Sequence, residues 1–154
     1  MEKKEKSLWE RAYQVAVVVK DMDKAIKFYE SLGIGPFVKG PSAVALERKI
    51  YGKLEPDAEV LGRIAQMGSI ELELMQPVKG NSIQMEYLKT KGEGVIHICA
   101  YTDDLDADIE TMAKKGYRVI SSAHFPDGGK FAYFDTREVG GLILELFQTG
   151  SEWK

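Results

Sequence analysis

Offset the chain by 83 residues and "QVAVVVKDMDKAI" (14–26) lies over "HICAYTDDLDADI" (97–109). Asp21 then falls on Asp104, Asp23 on Asp106, Ile26 on Ile109 and Gly33 on Gly116. Offset it by 72 and "LELMQ" (72–76) lies over "LELFQ" (144–148), with Gly68 on Gly140. Two matches in the same order, bracketing matched helical patterns, describe an internal repeat. The smaller second offset places about eleven extra residues in the first half, around Lys49 to Glu59.

Each half reads the same way. "YQVAVVVKD" (13–21) is β-branched and apolar, as in a buried strand. "DMDKAIKFYESLG" (21–33) is a helix, with Asp21 as its N-cap and Gly33 closing it. "SAVALERKIYG" (42–52), "EVLGRIAQM" (59–67) and "SIELELMQP" (69–77) come next as strands, the last ended by Pro77. "SIQMEYLKTKG" (82–92) is a linking helix. The second half repeats strand, capped helix and three strands, with a turn at "PDGG" (126–129). The order βαβββ, helix, βαβββ implies a single domain over 1–154. Module one spans about 12–78, the linker helix about 79–93 and module two about 94–149.

Bulk properties narrow the function classes. With 21 basic and 24 acidic side chains, net charge is −3, so no basic excess draws in nucleic acid or an anionic membrane. No apolar run reaches the ~18 residues of a membrane span. The one cysteine, Cys99, cannot form an internal disulfide, which points to a reducing cytoplasm.

Polar residues inside apolar strands carry the chemistry. The repeat pairs Gln14 with His97, and Glu73 with Glu145. A buried carboxylate finds a partner or a metal, because an isolated charge in a sheet core is costly. The plainer alternative puts both glutamates on exposed strand faces, and Glu71, two residues away, competes with Glu73 for the inward position. Four such residues in two related modules indicate a shared pocket on a pseudo-two-fold axis. One imidazole, one amide oxygen and two carboxylates suit a divalent Co, Mn, Ni, Zn, Fe or Mg ion.

"VAVVVKDMDKAIKFYESLGIGPF", "ELELMQP", "GEGVIHICAYTDDLDA" and "GGKFAYFDT…GLILELFQ" resemble the vicinal oxygen chelate superfamily over roughly Tyr13 to Gln148. The resemblance implies an α+β fold of two βαβββ modules paired into an open, eight-stranded, barrel-like sheet around a central pocket. It also implies that Gln14, Glu73, His97 and Glu145 are metal ligands, and that the chain forms a homodimer.

The texture around "ELMQP", "GEG" and "FAYFDT" is similar to the methylmalonyl-CoA epimerases of that superfamily. That similarity implies a metal-dependent isomerase that abstracts an α-proton by way of a metal-stabilised enolate, on a small molecule such as an acyl-CoA. It further implies Glu145 as ligand and base, and an acidic residue upstream of Glu73; Asp57 stands nearest that position and Glu59 is close. The Gln-Glu-His-Glu set looks instead like glyoxalase I, a lyase in which Glu73 and Glu145 would shuttle the proton. A third expectation is a non-catalytic binding protein of the bleomycin-resistance kind.

Overall fold

The opening strands of the two modules lie side by side at the middle of one sheet. The computed structural model describes residues 5–41 and 45–150. In chain order the elements are β1 (Ala12–Val18), α1 (Met22–Ser31), β2 (Val38–Lys39), β3 (Leu46–Ile50), β4 (Lys53–Leu54), β5 (Glu59–Met67), β6 (Ile70–Lys79), α2 (Ile83–Lys91), β7 (Gly94–Tyr101), α3 (Leu105–Lys114), β8 (Val119–His124), β9 (Lys130–Phe134) and β10 (Ile143–Gln148). The strand order is β2-β5-β6-β1-β7-β10-β9-β8-β3-β4. β1 runs parallel to β6, β7 runs parallel to β10, and β1 and β7 are antiparallel to each other. The α+β architecture is a curled mixed sheet of ten strands rather than eight.

The two additional strands are the extra residues of the first half. In module two the helix leads directly to β8, β9 and β10. In module one the matching positions are β2, β5 and β6, and the β3–β4 hairpin is inserted between β2 and β5. The hairpin does not stay with its own module. β3 pairs with β8 at the far edge of module two, Ile50 opposite Ser121. The strand expected from Ser42 to Gly52 therefore starts only at Leu46 and belongs to the insertion. Ser42, Ala43 and Val44 lie outside the described residues.

Pro77 does not end its strand. β6 continues to Lys79, and the proline sits opposite Val60 at a register shift in the β5–β6 ladder. A residue with no N–H to donate is tolerated at such an irregularity.

Both repeat helices are capped as the sequence indicates. The Asp21 carboxylate accepts from the Lys24 N–H and that of Asp104 from the Ala107 N–H. Gly33 and Gly116 take positive φ just past each helix, where a side chain would be strained. The last strand of each module supplies a second anchor. Gln76 Oε1 accepts from the Met22 N–H and Gln148 Oε1 from the Leu105 N–H, both at 2.8 Å. Each glutamine satisfies an amide that the first helical turn leaves without a partner.

The two repeat helices cover the convex face. α1 packs Met22, Ala25, Ile26 and Tyr29 on Leu72 and Leu74 of β6. α3 packs Leu105, Ile109 and Met112 on Ala100, Ala132 and Leu146. Among the described residues no helix is long and apolar enough to cross a membrane.

Gln148→Ala leaves the Leu105 amide buried without its acceptor. The expected cost is about 1–2 kcal/mol of unfolding free energy, read from the urea midpoint, and Gln76→Ala should cost a similar amount.

Candidate active site

Alternation along the strands decides which side chains meet. Leu72 and Leu74 point under α1, so Glu71, Glu73 and Met75 face the concave side. On β10, Leu146 packs with α3, so Glu145 and Phe147 face the same cleft. The runs around Glu73 and Glu145 are apolar because a helix covers one face and the other forms mostly apolar cleft wall.

Gln14, Glu73, His97 and Glu145 converge on one atom. His97 Nε2 lies 2.8 Å from Glu145 Oε2, 3.2 Å from Gln14 Oε1 and 3.8 Å from Glu73 Oε1. None of the four is more than 7% exposed. The sheet register explains the convergence. Ala16 stands between His97 on β7 and Glu73 on β6. Cys99 stands between Gln14 on β1 and Glu145 on β10. Two small residues at the centre leave room for four longer side chains to reach over them.

The two halves orient their ligand candidates differently. Gln14 Nε2 donates to Glu71 Oε1 at 2.5 Å, which turns its carbonyl oxygen toward His97. Glu71 is thus a cleft residue beside Glu73 rather than a rival to it. The repeat-related position in module two is the buried Ile143, which stands beside His97 on β10. His97 Nδ1 is buried with no hydrogen-bond partner among the described residues. The ring is held instead between Ala16 and Ile143 on the neighbouring strands, with the Tyr133 ring 4.9 Å away.

Burial dominates the electrostatics. It pushes Glu73 up to about 8, against the pull of His97, while Glu145 and Glu71 push the same way as burial. Burial opposes charge on His97, but Glu145 and Glu73 outweigh it and the net shift is upward. Glu71 is also raised, by burial first, with the Gln14 hydrogen bond opposing and Glu145 adding. The Cys99 thiol is buried and pushed well above its ordinary value by burial and then Glu145, which is the opposite of an activated thiolate. His124 is a half-exposed residue 3.8 Å from Glu47, away from the cleft.

The cleft encloses about 630 Å³, mouth included. Besides the polar cluster, its walls are Ile64, Met75, Phe125, Phe131, Phe147 and several tyrosines. Asp57 is not among them. It is exposed in the turn before β5. The residue across the ladder from Glu73 is Ile64, which is apolar. Counting back from Gly68 runs the length of β5 and reaches Asp57 only beyond its start, outside the cleft.

Arg48 and Tyr133 also line the cleft, and sequence reasoning misses both. Arg48 is 6% exposed and Tyr133 2%. The Tyr133 hydroxyl accepts from Gln84 Nε2 of α2 at 2.9 Å. Arg48 alternates with Leu46 and Ile50 in the sequence, so strand periodicity alone places it on an apolar face, with no sign of the cleft it enters.

The four-residue set fits a divalent cation by its chemistry. Donors around one cation at about 2.1 Å would stand roughly 3 to 4 Å apart; the separations of 3.2 and 3.8 Å from Nε2 fall in that range, and the hydrogen-bonded 2.8 Å to Glu145 lies just below it. Two carboxylates would balance the charge, and the Gln14 oxygen is already aimed by Glu71. Among the described residues no three His, Cys, Asp or Glu side chains stand as a finished metal cluster. In this state His97 Nε2 and Glu145 are hydrogen-bonded to each other at 2.8 Å, with Glu73 at 3.8 Å. A cation would replace the proton they share.

A family model described as the Glyoxalase/Bleomycin resistance protein/Dioxygenase superfamily matches residues 13–134. The human mitochondrial methylmalonyl-CoA epimerase is 29% identical over 150 residues, covering 92% of this chain and 77% of the relative. The Mycobacterium tuberculosis methylmalonyl-CoA epimerase structure superposes with a TM-score of 0.71 at 18% identity, covering 98% of this chain and 95% of the other. A Streptomyces coelicolor methylmalonyl-CoA epimerase variant in complex with 2-nitronate-propionyl-CoA gives 0.68 at 22% identity, covering 92% and 95%.

In chelator-treated protein the folded state holds the Glu73 proton up to about pH 8, while the unfolded chain releases it near 4.5. The folded state then binds more protons across that window, so stability falls as pH rises through it. His97 acts in the same direction, its contribution being present below 6.5 and lost as pH climbs through its raised value. The urea midpoint should therefore be higher at pH 5 than at pH 8, and Glu73→Gln should flatten most of that slope.

Proposed function

We propose that this chain, which belongs to the Glyoxalase/Bleomycin resistance protein/Dioxygenase superfamily, is a divalent-metal-dependent epimerase acting on the α-carbon of a methylmalonyl-CoA-type thioester. The observation that carries the reading is the convergence of Gln14, Glu73 and Glu145 on His97 Nε2 inside an apolar-walled cleft. The methylmalonyl-CoA epimerases among the relatives support the substrate class.

Gln14, Glu73, His97 and Glu145 would hold the ion, which when bound supplies Lewis acidity toward the negative charge that develops on the substrate oxygen. The ion would be Co, Mn, Ni, Zn, Fe or Mg.

The chain's own residues move the proton. Glu145 takes the α-proton, the C–H electron pair passes into the enolate, and His97 beside it steadies the carboxylate. Inversion needs a second acid on the other side of the α-carbon. With Asp57 outside the cleft, Glu71 takes that role. It projects from β6, while Glu145 projects from β10, and the central β1–β7 pair lies between them. Burial raises Glu71, which favours a carboxyl that still carries a proton to give. The apolar walls exclude water and strengthen each of these interactions. A homodimer in a reducing cytoplasm accords with the resemblance and the single thiol.

The presence of two carboxylates, Glu73 and Glu145, on one imidazole favours a second reading, a glyoxalase I-type lyase that shuttles the proton between them.

Protein purified without chelator should contain close to one divalent ion per chain, and adding the ion to stripped protein should raise Tm. Incubated with methylmalonyl-CoA in heavy water, it should exchange the α-proton. Glu145→Gln should lose about 10²–10⁴-fold in rate, and Glu71→Gln should slow inversion more than exchange. Turnover of the methylglyoxal–glutathione hemithioacetal without α-proton exchange would favour the lyase, and neither activity in metal-loaded protein would reject both readings.

A further inference from the structure

The β3 strand is built against its own hydropathy. Leu46 is 45% exposed and Leu54 of the partner strand 56%, while Arg48 is buried to 6%. By alternation Leu46, Arg48 and Ile50 share one strand face, yet that face buries Arg48 with Ile50 and leaves Leu46 out, although burying a charge costs far more than exposing a leucine. The exposure of Leu46 has a local cause. Glu47 has φ 48, a conformation that residues other than glycine adopt at a steric cost, and the β3–β8 ladder shifts register between Leu46 and Lys49. An irregularity of this kind re-aims a side chain. Here it throws Leu46 out of phase with Arg48 and Ile50, which keep the buried face, and the Arg48 guanidinium lies in the cleft 5.9 Å from the centre of the Phe131 ring.

Arg48 arrives in a particular place. It comes from the inserted hairpin of module one but enters along module two's side of the cleft, through the pairing with β8. Burial lowers its pKa, and the fields of Tyr133 and Glu145 oppose that shift, so the guanidinium and the Glu145 carboxylate act on each other across the cleft. A planar fork of donors on an aromatic floor is suited to a carboxylate.

We infer that Arg48 is the seat for a free carboxylate of the substrate, and that the cleft selects 2-carboxyacyl compounds over acyl compounds lacking that group. The inference deepens the proposed epimerase reading and rests on it for the thioester, though not for the carboxylate. In a 2-carboxyacyl thioester the α-carbon is bonded directly to the carboxylate carbon. Fixing that group at Arg48 restrains the α-carbon relative to Glu145, whereas a plain acyl group would leave it free to rotate away.

The test compares two ligand pairs that differ by a carboxylate, malonyl-CoA against acetyl-CoA and malonate against acetate. Titration calorimetry is run on the full chain, chelator-treated and metal-loaded, so that selection by a metal is separated from selection by Arg48. Wild type without metal should prefer malonyl-CoA by about 10- to 100-fold, the worth of a charge-assisted hydrogen-bonded pair. Arg48→Gln should bring that ratio to within about threefold while leaving acetyl-CoA affinity nearly unchanged, and Arg48→Lys, which keeps the charge and loses the fork, should fall between. A wild type that does not distinguish the members of either pair, or an Arg48→Gln protein that retains the preference, would overturn the inference. Malonate preferred through Arg48, with neither CoA ester bound, would leave the carboxylate seat standing and remove the thioester reading. If Arg48→Gln does not fold, the ratio in Arg48→Lys against wild type decides, an unchanged ratio overturning the inference.

Discussion

The antiparallel pairing of β1 with β7 is the contact on which the rest of the structure depends. Gln14 stands opposite Cys99 and Ala16 opposite His97, and under the 83-residue offset these two pairs exchange places. The pseudo-two-fold axis therefore passes through this ladder. Alone, each module would leave the backbone donors and acceptors of its opening strand without partners along one edge. Pairing the two edges satisfies them and joins two small sheets into one curled wall. It also sets which side chains share the concave face, because a slip of one residue would send that strand's side chains to the opposite face.

That geometry concentrates charge. Glu71, Glu73 and Glu145 share one cleft with His97 and Arg48. Carboxylates held out of water and near one another resist ionising together, which is why Glu73 is pushed so far up. Such a cluster persists when protons, the imidazole, the guanidinium and a bound cation or substrate share the compensation. The same features that make the cleft costly in the resting protein suit it to stabilise a transient charge.

Symmetry is kept where it serves the fold and broken where it serves the site. Asp21 and Asp104 cap equivalent helices, and Gln76 and Gln148 anchor the same two helices from equivalent strands. At the cleft, Gln14 with its orienting Glu71 stands where the second module has His97 with Ile143. An amide has two N–H donors and needs an acceptor to fix which way its oxygen points. The His97 ring is held by packing instead, between Ala16 and Ile143. The inserted hairpin breaks the symmetry further, since it exists in one module and completes the edge of the other.

The amino-acid sequence by itself determined the repeat, the capped helices, the α+β architecture and the positions of four polar residues in apolar strands. These are legible because they depend on local periodicity and on comparing the chain with itself. Local pattern misplaces Asp57, gives Pro77 too strong a role and assigns the hairpin to its own module. The first and last depend on where an insertion goes, which has no counterpart in the other half to compare with, and Pro77 depends on a register shift between β5 and β6. Only the tertiary structure decided that β3 crosses to β8, that Glu71 aims Gln14 and that Arg48 enters the cleft. Those outcomes come from pairing between segments far apart in the chain, which leaves no periodic trace in the residues themselves.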